Sequence, residues 1–260
     1  MQSIGNEWTG LVKTAMLHHM PRRPFIRKQK KKRHGTNFWD REYKQPDHLA
    51  LSTEPGEDLV KFTRFLHRHH PELLSQDRHV VDLGCGNGRH LKYLIDTYSL
   101  TGTGFDTSQT AIKQAAELCD ADRTTVQVRS IAEPLPVPDR SADLVLDMMT
   151  SHFLLEKARA RLHEEILRVL RPDGFLLIKT FLRDEDLHSA RLLHDYPGPE
   201  PNTYIHPVMG VPEHVYSEAE LREILEPNFV LDRVYRSHNH RFRGKARKRR
   251  TITIYARLHG

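Results

Sequence analysis

The segment from Val80 to Arg89, VVDLGCGNGR, constrains the fold of this chain more than any other feature. A short apolar run ends in Asp82 and is followed by glycines at 84, 86 and 88, which predicts a buried β-strand, a tight loop and the start of a helix. A second predicted strand, TGTGFD, ends at Asp106. A glycine loop after one strand and a carboxylate after the next are how a Rossmann-type sheet holds an adenosine-bearing cofactor.

The spacing of the glycines discriminates between cofactor classes. A dinucleotide fingerprint starting at Gly84 needs its third glycine at position 89, and this chain has Arg89 there. The loop therefore favours a cofactor without a pyrophosphate, and a nicotinamide oxidoreductase is the least favoured function.

Apolar runs alternate with amphipathic segments along most of the chain, which predicts a parallel sheet covered on both faces. The α/β fold expected is doubly wound, with a seven-stranded, mostly parallel sheet. Residues 171–174 are predicted as a turn, and residues 182–216 break the alternation. The predicted strands are 79–83, 101–106, 124–129, 142–147, 175–181, 229–235 and 251–258, and the predicted helices are 57–70, 88–98, 108–119, 155–170 and 217–226.

The residues of the glycine loop carry a family resemblance. The run DLGCGNG at 82–88 resembles the first motif, D/E-x-G-x-G-x-G, of the class I S-adenosylmethionine-dependent methyltransferases. The likeness extends over roughly residues 55–258 as an order of strands and helices, and it implies a last strand antiparallel to the rest. It also implies S-adenosylmethionine as cofactor, held by Asp82, Gly84, Cys85, Gly86, Gly88, Asp106 and Thr107.

Two further segments support the resemblance. Residues 130–143, SIAEPLPVPDRSAD, are similar to the family segment that lines the adenine, which implies adenine contacts from Ala132 and Glu133. Ile131 departs from the family pattern, which has an acidic residue there. Either Ile131 packs against the base or Glu133 replaces the missing acid. The run LRPDG at 170–174 is similar to the family turn L-K-P-G-G.

The end of the fourth predicted strand is where this family places groups near the transferred methyl. Asp147, also a candidate cofactor contact, and Lys179 are similar to two members of the catalytic tetrad of ribose 2′-O-methyltransferases. Thr251 stands where that tetrad has a glutamate, which favours a simple ion pair between Asp147 and Lys179. His152 is a candidate general base, because neutral imidazole accepts a proton near pH 7.

The segment that breaks the alternation is expected at the substrate side of the sheet, since loops at the carboxyl edge gather around ligands. Tyr204, His206 and His214 are therefore predicted to contact the substrate, with Tyr216 beside them. The alternative is a surface loop with aromatic packing.

Positive charge is concentrated at the two ends of the chain. Residues 1–35 hold nine Lys and Arg and one acid, and residues 236–260 hold nine and no acid, whereas the net charge is only +6. A basic hairpin at 237–250, with Lys245, Arg247, Lys248 and Arg249, is predicted to contact a polyanion, namely RNA or a ribonucleoprotein. The alternative is that the charges serve solubility.

Composition sets further bounds on the chain. Two cysteines provide neither a disulfide framework nor zinc spacing, no metal site is expected, and no apolar run is long enough to span a membrane. A cytoplasmic protein without a membrane partner is expected. Residues 1–35 are predicted to be a flexible basic extension, with an organellar targeting segment as the alternative, and residues 36–260 a methyltransferase domain.

Three functions remain open from the residues. The first is methyl transfer from S-adenosylmethionine by in-line displacement to RNA or a ribonucleoprotein. The second keeps the cofactor and replaces the substrate with a small molecule or a protein side chain. The third is an RNA-binding factor with a catalytically inactive methyltransferase fold.

Overall fold

The computed structural model describes residues 37–47, 51–238, 241–242, 245–246 and 248–260. All of them belong to the structural unit Arg33–Gly260. The predicted basic extension, and the part of the predicted hairpin formed by residues 239–240, 243–244 and 247, lie outside the described residues.

Seven of the strands form one sheet, and four short ones form two hairpins. In chain order, the strands are β1 His79–Leu83, β2 Thr101–Asp106, β3 Thr124–Val128, β4 Ala142–Met148, β5 Leu170–Phe181, β6 Thr203–Ile205, β7 Pro212–His214, β8 Phe229–Arg236, β9 Arg241–Phe242, β10 Lys245–Ala246 and β11 Thr251–Leu258. The sheet order is β3-β2-β1-β4-β5-β11-β8. Within this sheet, β11 alone runs opposite to the other six strands, which confirms the predicted doubly wound fold.

Helices cover both faces of the sheet. They are α1 Asn37–Lys44, α2 Glu57–His69, α3 Arg89–Tyr98, α4 Gln109–Leu118, α5 Glu156–Val169, α6 Leu187–Asp195 and α7 Glu218–Leu225. Helices α2 and α3 bury their apolar sides on one face, through residues such as Phe62 and Leu91. Helices α5 and α7 cover the other, through residues such as Ile166 and Leu221. Burying a side chain of this size contributes roughly 1.5–3 kcal/mol.

Strand β5 begins earlier than the sequence predicts. Residues 171–174, expected to be a turn, lie inside β5, where the register against β4 shifts between Ala142 and Leu144. Asp173 has a φ of 61° within this irregularity. The residues typical of a turn therefore produce a bulge at the start of a long strand rather than a separate loop.

The segment between β5 and α7 has structure of its own. It contains α6 and the hairpin of β6 and β7. Helix α7 starts at Ser217, whose hydroxyl accepts a hydrogen bond from the Glu220 backbone N–H at 3.1 Å. The Glu220 carboxylate pairs with His214. Ser217 and Glu220 have the spacing of a capping box, but only the hydrogen bond to the Ser217 hydroxyl forms.

Within the part of the chain that the structure describes, none of the helices combines the length and the apolar character that crossing a membrane requires.

Candidate functional site

A cavity of about 630 Å³ opens at the carboxyl ends of β1, β2, β4 and β5. This is the edge of a doubly wound sheet at which ligands bind, and the volume is in the range of small-molecule sites. One part of the wall is formed by the loops that follow β1, β2 and β3. The other part is formed by residues after β4, the end of β5, the β6–β7 hairpin and Arg249.

The loop after β1 reaches the cavity with Gly84, Cys85 and Gly86. Gly84 and Gly86 have φ values of 74° and 57°, in the left-handed region that favours glycine. The backbone N–H groups of Gly84 and Cys85 donate to the Phe105 carbonyl at 2.8 and 2.9 Å, which fixes the loop to the end of β2.

Gly88, the third glycine of the motif, lies outside the cavity wall. A β-carbon there would stand 2.9 Å from both the Ala115 β-carbon and the Cys119 Sγ. Gly88 therefore permits the close packing of α3 against α4, and the expectation that it contacts the cofactor is corrected.

Asp106 is positioned as an acceptor at the cavity wall. Its carboxylate accepts hydrogen bonds from the backbone N–H groups of Gly86 at 3.0 Å and Ser108 at 2.8 Å. Burial raises the pKa of the Asp106 carboxyl above its ordinary value. With Thr107 beside it, this carboxylate fits the two hydroxyls of a ribose.

Helix α1 covers the glycine loop with Trp39 and Tyr43, as the aromatic residues of this segment suggest. The helix is tied to the start of α4, because Asp40 accepts hydrogen bonds from the Ser108 hydroxyl at 3.1 Å and the Thr110 backbone at 2.9 Å. Burial raises the pKa of Tyr43.

The segment after β3 contacts the cavity through residues other than those expected. Arg129, Ser130 and Ile131 line the wall, and Ile131 is 6% exposed. Ala132 is not in the wall, and the Glu133 side chain is 62% exposed with Arg129 as its 3.8 Å neighbour. The geometry therefore favours apolar packing of Ile131 on a base and corrects the expected contacts of Ala132 and Glu133.

Asp82 lies below the glycine loop rather than in the cavity wall. It is 1% exposed, and its Oδ2 has no hydrogen-bond partner among the described residues. Burial, reinforced by the nearby Asp106 carboxylate, raises its pKa to about 7. The His90 Nδ1 lies 3.9 Å from the same oxygen, which is too far for a hydrogen bond.

The expected pair of Asp147 and Lys179 does not form. Asp147 pairs in register with Ile178, so Asp147 and Lys179 lie on opposite faces of the sheet. Asp147 is buried under the second face, where it accepts a hydrogen bond from the Ser151 backbone at 3.0 Å. Lys179 pairs instead with Asp58 of α2. Neither residue lines the cavity, which corrects their catalytic assignment and that of Asp147 as a cofactor contact.

His152 lines the cavity with an unusual lack of partners. It is 1% exposed, and neither ring nitrogen has a hydrogen-bond partner among the residues that the structure describes. Its ring centroid lies 4.2 Å from that of Phe153 and 5.3 Å from that of Phe181. Burial, with the nearby Arg249 charge second, lowers its pKa to about 3, so His152 is neutral near pH 7.

A buried polar cluster faces His152 across the cavity wall. Arg249 pairs with Glu213 through Nη1, and the Tyr204 hydroxyl donates to the same carboxylate. Glu213 is 1% exposed and Tyr204 is fully buried. The Arg249 guanidinium carbon lies 3.3 Å from the centroid of the Phe181 ring, a cation–π arrangement.

The other predicted substrate residues are divided between two cavities and the surface. His206 lines the first cavity. His214 faces a second cavity of about 590 Å³, between α5 and α7, and its Nε2 lies 2.7 Å from the Glu220 carboxylate. This position corrects its assignment to the substrate site. Lys248 is exposed, whereas the Lys245 side chain and Arg247 lie outside the described residues.

Sequence reasoning missed Glu213, Phe181 and the methionines Met148 and Met149, which all line the first cavity. The position of Met148 at the end of β4 and of Met149 directly after it was a usable signal, since residues there reach the carboxyl edge of the sheet. For Glu213 no local signal exists, because its place depends on how β7 pairs with β6.

Among the described residues, no three His, Cys, Asp or Glu side chains are grouped so that they could hold a metal ion.

A family model described as a methyltransferase domain matches residues 81–178. Those residues run from β1 to the middle of β5 and include the glycine loop, Asp106 and His152.

Two curated relatives have similar sequences. Phthiotriol/phenolphthiotriol dimycocerosates methyltransferase 1 of Mycobacterium ulcerans is 33% identical over 133 residues, which are 50% of this chain and 46% of that protein. Trans-aconitate 2-methyltransferase of an Azoarcus species is 33% identical over 122 residues, 46% of this chain and 45% of that protein. The chain therefore spans less than half the length of these relatives.

Solved structures share the fold. A Methanosarcina mazei S-adenosylmethionine-dependent methyltransferase superposes with a TM-score of 0.59 at 24% identity, covering 73% of this chain and 96% of that one. The Burkholderia thailandensis 1,6-didemethyltoxoflavin-N1-methyltransferase, with its substrate and S-adenosylhomocysteine bound, gives 0.56 at 21% identity, covering 78% and 79%. Residues 81–178 therefore match a methyltransferase domain, and the chain has the fold of S-adenosylmethionine-dependent methyltransferases.

Proposed function

We propose that this chain transfers a methyl group from S-adenosylmethionine to a small molecule held in the same cavity as the cofactor. The observation that carries the proposal is the second half of the cavity wall. Beyond the residues suited to the cofactor, it is formed by aromatic side chains, the Arg249–Glu213 pair and His152. Such a wall suits a compact ligand with apolar surface and a few polar groups.

The residues of the glycine loop fit the cofactor. Gly84, Gly86 and Asp106 would hold its nucleoside portion, and Ile131 would pack on its base. When bound, the cofactor supplies an activated methyl group on a sulfonium, so the protein has chiefly to align the nucleophile and exclude water. Phe153 and Phe181 would exclude water from the cavity.

A nucleophile that carries a proton needs a base to accept it, and His152 is placed to act as that base. Both of its ring nitrogens are without partners among the described residues, and the lowered pKa leaves the imidazole neutral but a weak base before a substrate binds. A nitrogen of this ring can accept the proton that a substrate hydroxyl or amine loses as its lone pair attacks the methyl carbon. His152 is therefore proposed as the general base.

The named relatives support a small substrate. Their names refer to phthiotriol dimycocerosates, a hydroquinone, trans-aconitate and glycine with its methylated forms. None of these is a nucleic acid or a protein.

RNA is the second candidate, favoured by one observation. Strand β8 runs in the direction of β5 and ends at the edge of the sheet where the cavity opens, and the basic segment 237–250 comes after it in the sequence. Lys248 is exposed there. Against this, Arg249 turns into the cavity, and Arg250 donates to the Asp184 carbonyl at 2.7 Å.

The test is transfer of a radiolabelled methyl group from S-adenosylmethionine into a cell extract, with the label separated into small-molecule, nuclease-released and protease-released fractions. We expect the label in the small-molecule fraction, and none with an Asp106→Ala control. Label released by nuclease would replace the proposal with the RNA function. Label released by protease, or no label despite measured binding of S-adenosylhomocysteine, would also overturn it.

A further inference from the structure

Arg249 has more hydrogen-bonding capacity than the protein uses. Its side chain is 16% exposed, and Nη1 is paired with Glu213. Nε and Nη2 are buried and have no partner among the described residues. Buried donors without partners cost free energy, so their presence in a cavity wall indicates a ligand that completes them.

The two free nitrogens are a matched pair. Nε and Nη2 share one edge of the planar guanidinium, so their N–H bonds run parallel at the spacing of two carboxylate oxygens. The edge that includes Nη1 is occupied by Glu213. Within the part of the chain that the structure describes, one side of the arginine forms an ion pair and the bidentate side remains open.

The open edge is held in place before any ligand arrives. The guanidinium carbon lies over the Phe181 ring and 5.5 Å from the centroid of the Tyr204 ring. Glu213 is itself fixed by the Tyr204 hydroxyl. The next residue, Arg250, accepts a backbone hydrogen bond from Leu182 at 3.0 Å, which joins this stretch to the end of β5.

The charge of the cavity suits an anion. Its wall contains three arginines, Arg89, Arg129 and Arg249, against two carboxylates, Asp106 and Glu213. His152, whose nitrogens have no partner among the described residues, also lines the wall. It can donate one N–H to an anion while its other nitrogen remains an acceptor.

We propose that Arg249 determines substrate specificity by binding a carboxylate of the substrate through its Nε–Nη2 edge. This inference rests on the proposed small-molecule function and names the substrate class, which is a carboxylic acid small enough to lie between Phe153 and Phe181. The competing explanation is that Arg249 only neutralises the buried Glu213. A lysine would satisfy that role but offers no parallel pair of donors.

The test compares benzoate with benzamide, which has the same shape and no charge, as probes for the full chain saturated with S-adenosylhomocysteine. Affinities are measured by calorimetry for the wild type, Arg249→Lys and Lys248→Gln. Lys248→Gln is the matched control, because it removes the neighbouring exposed charge and leaves the cavity intact. Carboxyl-labelled ¹³C-benzoate provides a second readout, since its NMR shift reports bidentate binding.

We expect benzoate to bind at least about tenfold more tightly than benzamide, the order of difference that a charge-assisted bidentate pair provides. Arg249→Lys should abolish this preference and the NMR shift, and Lys248→Gln should change neither by more than about twofold, as an exposed charge contributes little. Equal binding of the two probes, or a preference retained in Arg249→Lys, would overturn the inference. Binding of S-adenosylhomocysteine is measured first for the wild type and for each variant. If the wild type does not bind it, the result contradicts the proposed function and not the carboxylate site. If Arg249→Lys fails to fold, the double variant Arg249→Met/Glu213→Gln replaces it, because it removes both charges of the pair and leaves neither one unpaired.

Discussion

The hydroxyl of Tyr43 occupies the space that a β-carbon on Gly86 would need. Helix α1 therefore rests directly on the backbone of the glycine loop, and the loop can accept it only because position 86 has no side chain. The backbone conformation also requires glycine at this position, since the φ of Gly86 is 57°, in the left-handed region.

Gly86→Ala should destabilise the protein and weaken binding of S-adenosylhomocysteine. The left-handed conformation costs a residue with a β-carbon roughly 1–2 kcal/mol, and the clash with Tyr43 adds to it. The double variant Gly86→Ala/Tyr43→Phe should recover part of the loss, because it removes the hydroxyl and not the backbone strain. Urea unfolding measures both; a single variant as stable as the wild type would contradict the packing described here.

Asp106→Asn should weaken binding of S-adenosylhomocysteine by at least about tenfold and lower stability by about 1–3 kcal/mol, because the amide NH2 replaces one of the two oxygens that accept backbone N–H groups. The amide keeps the size of the carboxylate but loses the charge, and a hydrogen bond to a charged group contributes roughly 1.5–3 kcal/mol. Titration calorimetry provides the measurement. Glu133→Gln is the matched control, because Glu133 is exposed and should leave the affinity unchanged.

Asp82→Asn should change how stability depends on pH. The pKa of Asp82 rises to about 7 in the folded protein, from an ordinary value near 3.9. Between those values the folded protein holds a proton that the unfolded chain has released, so stability falls as pH rises, by up to about 1.4 kcal/mol per pH unit. Urea unfolding at pH 5 and pH 7 should therefore show a smaller change in the free energy of unfolding for the asparagine variant than for the wild type. An equal change in the two proteins would refute the prediction.

His152→Phe should stabilise the protein by about 1 kcal/mol while abolishing methyl transfer. Phenylalanine keeps the ring contacts and removes two buried nitrogens that have no partner among the described residues. The pKa of His152 is lowered to about 3, so the histidine costs stability as pH falls below about 6.5, where the unfolded imidazole takes up a proton. The substitution should remove that loss. Unchanged turnover in the variant, once the substrate is known, would eliminate His152 as the base.

Lys179→Met should lower stability by about 1 kcal/mol and leave turnover unchanged. Lys179 and Asp58 form a partly buried ion pair between β5 and α2, with side chains 26% and 23% exposed. Asp58→Asn should give a similar change in urea unfolding, and combining the two should cost less than their sum. A hundredfold loss of turnover in a stable Lys179→Met protein would restore its catalytic role.

The sheet could be predicted from the sequence because its strands are short apolar runs separated by helices of regular period. The predicted β1, β2 and β11 match the observed strands residue for residue. The prediction of a turn at 171–174 was wrong for a physical reason. Pro172 and Gly174 favour a break in the chain, but pairing of Ala142 with Leu170 keeps the segment in the sheet as a bulge.

The cofactor half of the site was more predictable than the substrate half. Gly84, Gly86 and Asp106 follow strands directly, so their places are set locally. The separation of Asp147 from Lys179 depends on the register between β4 and β5, which no local pattern reveals. Arg249 looked like one more charge in a basic run, and only its pairing with Glu213 turns it inward.

Neighbouring residues of β7 belong to different cavities, since Glu213 lines the first and His214 the second. A point substitution at Glu213 or at His214 can therefore change one cavity without changing the other. Deletion of one residue before Glu213 would have a different effect: it would shift every following side chain to the opposite face of β7, which places His214 at the position beside Arg249 and moves Glu213 to the other face. Insertions and deletions in this hairpin should therefore be rarer than substitutions, because each of them would alter both cavities.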